Sequence, residues 1–319
     1  MKITLLSNPI AGKGRASAAA QTLQALLREQ GHAVRLAHTN PTPRDEGPGE
    51  PERSDLLVVL GGDGSVRLAS ETAVRTETPL YVIPLGTENL FARELGMGRS
   101  GGQLLDALRR FEVRHLDVGK VDGRNFLLMT SLGFDACVVC DLADRRGGAI
   151  NHLSYVRPLL RQLWRWRPPQ LTLDVDGERV VAGRTGFLVI ANSRQYAVRL
   201  DPALRASMTD GLLDVVFFPC RSAAALPAWA LACRLRSQLR SKGLVYRQGR
   251  RMLVRCAPAQ PYQLDGDAPQ PRPCVTTLEV GILPRALPVL AATSRPWASA
   301  QPLAQPPPHA PLQQPPGQA

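Results

Sequence analysis

No stretch of this 319-residue chain comes near the roughly 18 uninterrupted apolar residues that cross a bilayer as a helix. The opening Met1–Pro9 segment is too short and polar for a secretory signal, so a cytoplasmic protein is expected. Histidine is sparse: His32, His38, His115, His152 and His309 form no spaced cluster, which argues against a histidine-held metal or a nucleophilic triad. The six cysteines are scattered among apolar neighbours. Only Cys137 and Cys140 share a two-residue gap, without the second pair that a zinc finger needs, and all six are read as reduced packing residues. Acidic residues number 27 against 39 Lys plus Arg, and the formal charge of +12 favours anionic partners. Nucleic acid is not expected among them, because no recognisable RNA or DNA module accompanies the basic stretches.

What remains is length and apolar content enough for two cores. The first third alternates strand and helix. Lys2 to Ser7 reads as a strand, Arg15 to Gln30 as a helix stopped by Gly31, and Ala33 to His38 as a second strand. Leu56 to Leu60 and Leu80 to Pro84 are almost wholly apolar, as strands of a parallel sheet covered on both faces are. Such a sheet binds ligands at the carboxyl ends of its strands. The segments Ser7–Gly14, Thr39, Gly61–Ser65 and Leu85–Arg93 should therefore converge on one crevice. From about Leu116 the rhythm changes to period-two stretches at Leu171–Val175, Gly186–Ala191, Leu212–Phe218, Arg251–Arg255 and Val275–Val280, which predicts an antiparallel second domain. Helical insertions are expected near Ser154–Trp166 and Ala223–Leu239. After Ala291 the composition turns to Pro, Ala, Gln and Ser, too poor in apolar residues to stay ordered.

The chemistry is concentrated in the loops. In Gly61-Gly62-Asp63-Gly64-Ser65 the glycines allow backbone N–H groups to approach a ligand, and a helix starting beside them adds its positive end. That makes an anion site, in which a carboxylate at Asp63 is tolerated only if a divalent cation or a water stands between it and phosphate. Magnesium-bound nucleotide satisfies both demands. Asn8-Pro9-Ile10-Ala11-Gly12 also ends a strand, yet lacks the spacing and ending of a Walker A loop. A third loop, Pro84–Arg93, brings Gly86, Thr87 and Asn89 to the same place.

In this order and at these distances, the three loops resemble the catalytic domain of the diacylglycerol kinase and sphingosine kinase family, with bacterial members the closest match. Ser131–Ala136 is similar to that family's Gly-x-Gly-Phe-Asp-Ala, Asp210–Asp214 to its Asp-Gly-x-Leu turn, and Leu264-Asp265-Gly266-Asp267 to its Asp-Gly-Glu. The resemblance implies a Rossmann-like α/β nucleotide-binding domain over 1–117 and an antiparallel β-sandwich lipid-substrate domain over 118–290, and composition leaves a disordered tail over 291–319. The resemblance also implies an ATP-dependent, magnesium-using lipid kinase. Asn8, Pro9, Ile10, Ala11, Gly12, Thr39, Gly61, Gly62, Asp63, Gly64, Ser65, Val66, Arg67, Leu68, Gly86, Thr87 and Asn89 fall on its ATP-contacting segments. Ser207, Asp210 and Leu212 fall on a structural magnesium site, and Asp267 on the general base, with Asp63 the second catalytic carboxylate. The chain departs from the pattern with Ser65 for Thr, Asp267 for Glu, Leu90 for Asp, and Arg67-Leu68 for Asn-Glu.

Two basic segments, Leu153–Arg167 and Leu226–Leu244, interleave Arg or Lys with Leu and Trp, the composition of helices at an anionic bilayer interface and equally of helices packed with a solvated basic face. The alternatives to a lipid kinase are a soluble-metabolite kinase related to the NAD kinases and a nucleotide-binding regulator without catalysis.

Overall fold

The computed structural model describes residues 1–8, 15–38, 54–144, 156–270 and 274–293. Pro9, Ile10, Ala11, Gly12 and Thr39 lie outside the described residues, as does the chain from 294 onward.

The elements follow in the order β1 (Lys2–Ser7), α1 (Arg15–Glu29), β2 (Ala33–His38), β3 (Leu56–Gly61), α2 (Asp63–Thr76), β4 (Leu80–Pro84), α3 (Leu90–Glu94), α4 (Gly101–Arg110), β5 (Val113–Val121), β6 (Arg124–Phe126), β7 (Met129–Leu132), α5 (Phe134–Asp144) and α6 (Val156–Arg165). Then come β8 (Gln170–Val175), β9 (Glu178–Ala191), β10 (Leu213–Pro219), α7 (Leu226–Arg234), β11 (Val245–Gly249), β12 (Arg251–Leu264) and β13 (Cys274–Leu290). No described helix is long and apolar enough to cross a membrane.

The first four strands pair in parallel in the order β4-β3-β1-β2. Every residue of β3 and β4 is buried, which is why their sequences are apolar without alternation. Register aligns their carboxyl ends: Ser7 lies beside His38 and Leu60, and Gly61 beside Pro84. The segments that leave these strands emerge from a single edge.

The later strands pair antiparallel, and two long ones serve two neighbours each. The first part of β9 pairs with β8 and its last part with β7 and β10. Likewise β12 pairs with β8 and β13 at its start and, beyond a register shift between Arg255 and Gln260, with β7 at its end. These strands enclose a second core that includes Leu171, Leu188, Phe217, Met252 and Tyr262.

The two parts are not divided cleanly at residue 117. β13 runs antiparallel to β5 and, after a register shift between Leu283 and Leu287, sets Val289 beside Leu80 of β4 in parallel. Leu287, Val289 and Leu290 therefore belong to the first core. Ala291 and Ala292, which composition assigned to the tail, are buried as well, and the Arg110 guanidinium donates to the Ala292 carbonyl at 2.9 Å.

The bend in β13 has a visible anchor in Asp117, a fully buried carboxylate on β5. It accepts from the Arg285 amide, at a left-handed φ of 52°, and from the Gly211 amide, both at 2.7 Å. Removing it strands two amides, each costing about 1–3 kcal/mol. Asp117→Ala is expected to destabilise the protein by about 2–4 kcal/mol in denaturant unfolding, and an unchanged midpoint would show that water replaces the carboxylate.

Candidate active site

Gly62 of the first loop is required by close approach between two backbones. A methyl group on Gly86 would lie 2.6 Å from the Gly62 Cα, so the turns after β3 and β4 touch through their glycines. The Leu85 amide donates to the Gly61 carbonyl at 2.9 Å, and Asn89, at a left-handed φ of 50°, folds its amide side chain back onto both the N–H and the C=O of Gly86 at 2.8 Å each. Asn89 thus shapes the loop from within. Thr87 stands exposed at the rim.

Gly62 begins α2 with no side-chain cap, leaving the end of a helix dipole at the loop. The Ser65 and Val66 amides both donate to the Gly62 carbonyl, at 3.0 and 3.1 Å. The Ser65 hydroxyl is buried and accepts from the Asn8 side chain at 3.2 Å, which fastens the end of β1 to α2. Val66 points into the first core.

Asp63 takes a position that its sequence context did not reveal. Its two carboxylate oxygens accept the Leu90 and Phe91 amides, each at 3.0 Å, capping α3. Burial pushes the Asp63 carboxyl up against the pull of those two amides, and the charges of Asp267 and Glu88 add to the rise. Asp63 thus has two like charges near it beside α2. They do not converge on a point: among the described residues no group of three His, Cys, Asp or Glu is placed to hold a metal ion.

Asp267 arrives from the other half of the molecule. Leu264 and Asp267 exchange backbone hydrogen bonds of 2.9 Å in both directions across a two-residue turn. Asp265 (φ 51°) and Gly266 (φ 85°) are both left-handed, as such a turn demands. The turn is clamped by the Asp265 carboxylate, which accepts the amides of Leu127, Leu128 and Met129 at 2.7, 2.8 and 2.9 Å. From the other side the Gln263 side chain accepts the Gly266 amide at 2.6 Å and donates to the Ser131 hydroxyl at 2.9 Å. So held, the Asp267 carboxylate presses on the first turn of α2, where a methyl group on Gly64 would overlap it.

Two departures from the family pattern acquire structural explanations. Leu90 is buried in the first core while its amide serves Asp63. Arg67 is buried on α2 near enough to Asp265 for its positive charge to favour the carboxylate form, opposing the burial that pushes Asp265 up to about 6. Arg67 accordingly belongs to the support of the turn. Leu68 is half-buried.

Behind the turn, Asp135 at the start of α5 accepts from the Ser131 hydroxyl at 2.5 Å and from the Tyr196 hydroxyl at 3.1 Å, and burial pushes its carboxyl up. The segment with Ser207, Asp210 and Leu212 lies apart, on the Asp117 anchor. Asp210 accepts the Leu212 amide at 3.0 Å, and its carboxyl is raised by burial and by the Asp117 charge. Asp214 is buried with Tyr246 and Gln248 donating to it, and burial lifts it to about 7. Sequence reading missed Asp117 and Gln263; the one signal for Asp117 was a carboxylate inside a strand of otherwise buried residues.

Residues 2–121 match the diacylglycerol kinase catalytic domain, and residues 128–291 match the YegS C-terminal NAD kinase beta sandwich-like domain. The chain is 29% identical over 229 residues to the diacylglycerol kinase of Mycobacterium tuberculosis, spanning 67% of this chain and 72% of that one. It is 26% identical over 217 residues to the diacylglycerol kinase of Bacillus subtilis, spanning 67% and 71%. A crystal structure of a diacylglycerol kinase from Bacillus anthracis superposes with a TM-score of 0.63 over 91% of this chain and 96% of that one, a likeness of fold at 15% identity.

The touching glycines and the Asp265 clamp each make a measurable demand. Gly86→Ala sets a methyl against backbone that cannot turn aside, and an expected loss of about 1–3 kcal/mol is read by thermal unfolding; no loss would mean that the loops separate freely. Because burial raises Asp265 above the ordinary carboxylate range, the folded protein holds that proton more tightly than the unfolded chain does. Its stabilising contribution is present below about pH 4 and lost as pH rises through about 6. The stability of the wild type relative to Asp265→Asn should fall between about pH 4 and pH 7, and a pH-independent difference would refute the shift.

Proposed function

This chain belongs to the diacylglycerol kinase family of lipid kinases, and from that premise we propose that it transfers the γ-phosphate of ATP, supplied with magnesium, to the hydroxyl of a lipid such as diacylglycerol or a sphingoid base. The observation that carries the reading is the placement of the Asp267 carboxylate against Gly64, in the uncapped first turn of α2. A proton acceptor and an anion-accepting helix end, delivered by distant parts of the chain, stand side by side.

In this reading the phosphates lie on the Gly62–Ser65 turn, with the Gly86–Asn89 loop beside them and Asn8, bonded to the Ser65 hydroxyl, at the end of β1. Backbone N–H groups and the dipole of α2 stabilise charge on the transferring phosphoryl group. The acceptor hydroxyl approaches from the Asp267 side, gives its proton to that carboxylate and attacks in line. Asp63 contributes by holding α3 and thereby the Asn89 loop.

The loop donors fit a hard divalent cation: Asp210 offers one carboxylate near the like charge of Asp117, and the other ligands on offer are the carbonyl oxygens of Ser207 and Leu212. These three residues would hold magnesium, whose charge would offset that of the carboxylates. The buried positions of Leu90 and Arg67 weigh against loss of catalysis, since each has a packing or electrostatic role that leaves Asp267 in place.

Transfer of labelled γ-phosphate to diacylglycerol, monoacylglycerol, a sphingoid base and phosphatidylglycerol tests the proposal. A labelled lipid is expected, reduced at least about 100-fold in Asp267→Asn, with ATP binding retained. ATP binding with no labelled lipid from any acceptor would overturn it.

A further inference from the structure

The most exposed large apolar side chains do not surround the carboxylates. Trp164 is 83% exposed, Leu160 52% and Leu159 40% on α6, while Leu231 (59%) and Leu235 (67%) stand on and just after α7. Packing does not call for them, because α6 already turns Pro158 and Leu163 inward and α7 turns Leu226 and Cys233 inward.

Both helices rest on one row of rings. Phe134, Trp166, Phe187, Phe218 and Trp229 follow one another with centroid separations of 5.4, 6.3, 4.8 and 5.2 Å. Phe187 and Phe218 are cross-strand partners on β9 and β10, so the end of α6 and the middle of α7 pack over the same face of that sheet. The row starts at Phe134, next to Asp135, whose network runs through Ser131 and Gln263 to the turn that carries Asp267.

The charge that these helices leave exposed is mostly positive, the acids against them being Asp141, engaged by Arg161, and Asp201, engaged by Arg236 at 3.2 Å. No Asp or Glu occurs between Asp144 and Asp174, nor between Asp214 and Asp265. Arg157, Arg165, Arg167, Arg234, Arg240 and Lys242 are all exposed there. Arg161, by contrast, is engaged with Asp141 at 3.3 Å and ties α6 to α5.

We propose that the outer sides of α6 and α7 form one docking surface for an anionic phospholipid bilayer, with Trp164, Leu160, Leu231 and Leu235 entering the interface and the arginines meeting the headgroups. The choice of occupant rests on the lipid-kinase reading. An apolar tip in a predominantly cationic surround matches a bilayer interface, where an indole is at home and each cation near the surface is worth about fivefold in partitioning. The surface adjoins the Asp135 network, so a lipid drawn from the bilayer would enter on the Asp267 side.

Flotation of the full chain with phosphatidylglycerol–phosphatidylcholine vesicles, and with phosphatidylcholine alone, provides the test. The expected result is salt-sensitive binding to the anionic vesicles, lowered at least about tenfold by Arg157→Glu with Arg165→Glu and, separately, by Trp164→Ala with Leu160→Ser. Phosphate transfer to a short-chain acceptor dispersed as monomers is expected to be unchanged in both variants, which shows them folded and keeps this proposal separate from the kinase reading. Vesicle binding without phosphorylation of any lipid would support the docking surface while removing the kinase. Equal flotation of wild type and variants would overturn the proposal, as would a wild-type dimer that the variants convert to monomer.

Discussion

The arrangement depends on a carboxylate that does no chemistry. Asp265 gathers three successive amides at Leu127–Met129 and so pins the β12 turn to the start of β7. Without that clamp, the two left-handed residues of the turn would have no reason to aim Asp267 at α2. Burial works against the charge that the clamp needs, and Arg67, reaching from α2, offsets part of the cost. The helix that begins at the glycine loop therefore also helps to hold the group placed beside it, one of several contacts that join the two halves of the molecule.

A similar economy governs the loops. Asp63 invites the reading of a metal ligand, but its oxygens are satisfied by the amides that open α3. Of the glycines on either side, Gly62 serves a contact with the backbone at Gly86 and Gly64 leaves room for the Asp267 carboxylate. Rigidity of this kind is what phosphoryl transfer asks of a protein, since positioning and fixed dipoles supply most of the catalysis.

Much of this was legible in the chain. The apolar runs Leu56–Leu60 and Leu80–Pro84 announced a buried parallel sheet, and the loops after them do leave one edge of it. The long strands were not legible as such: Gly186–Ala191, Arg251–Arg255 and Val275–Val280 are fragments of β9, β12 and β13. Gly183, Pro258, Pro261 and Pro284 fall inside these strands, where they change partners or shift register and lost pairing is tolerated. The return of Val289 to the first sheet left no local trace, because it depends on a bend fixed by Asp117, far away in sequence. Asp267 was singled out only through the company of its motif; nothing in Asp-Gly-Asp by itself distinguishes a base from a turn. The basic helices showed their composition but not which apolar residues they leave outside, and that distinction came from the ring row beneath them.

The most direct test of the central claim is a crystal structure with magnesium and a non-hydrolysable ATP analogue. The terminal phosphate is expected on the first-turn amides of α2, with the Asp267 carboxylate facing the side from which an acceptor hydroxyl would attack. A nucleotide bound away from that turn, or a terminal phosphate that Asp267 cannot approach, would contradict the account.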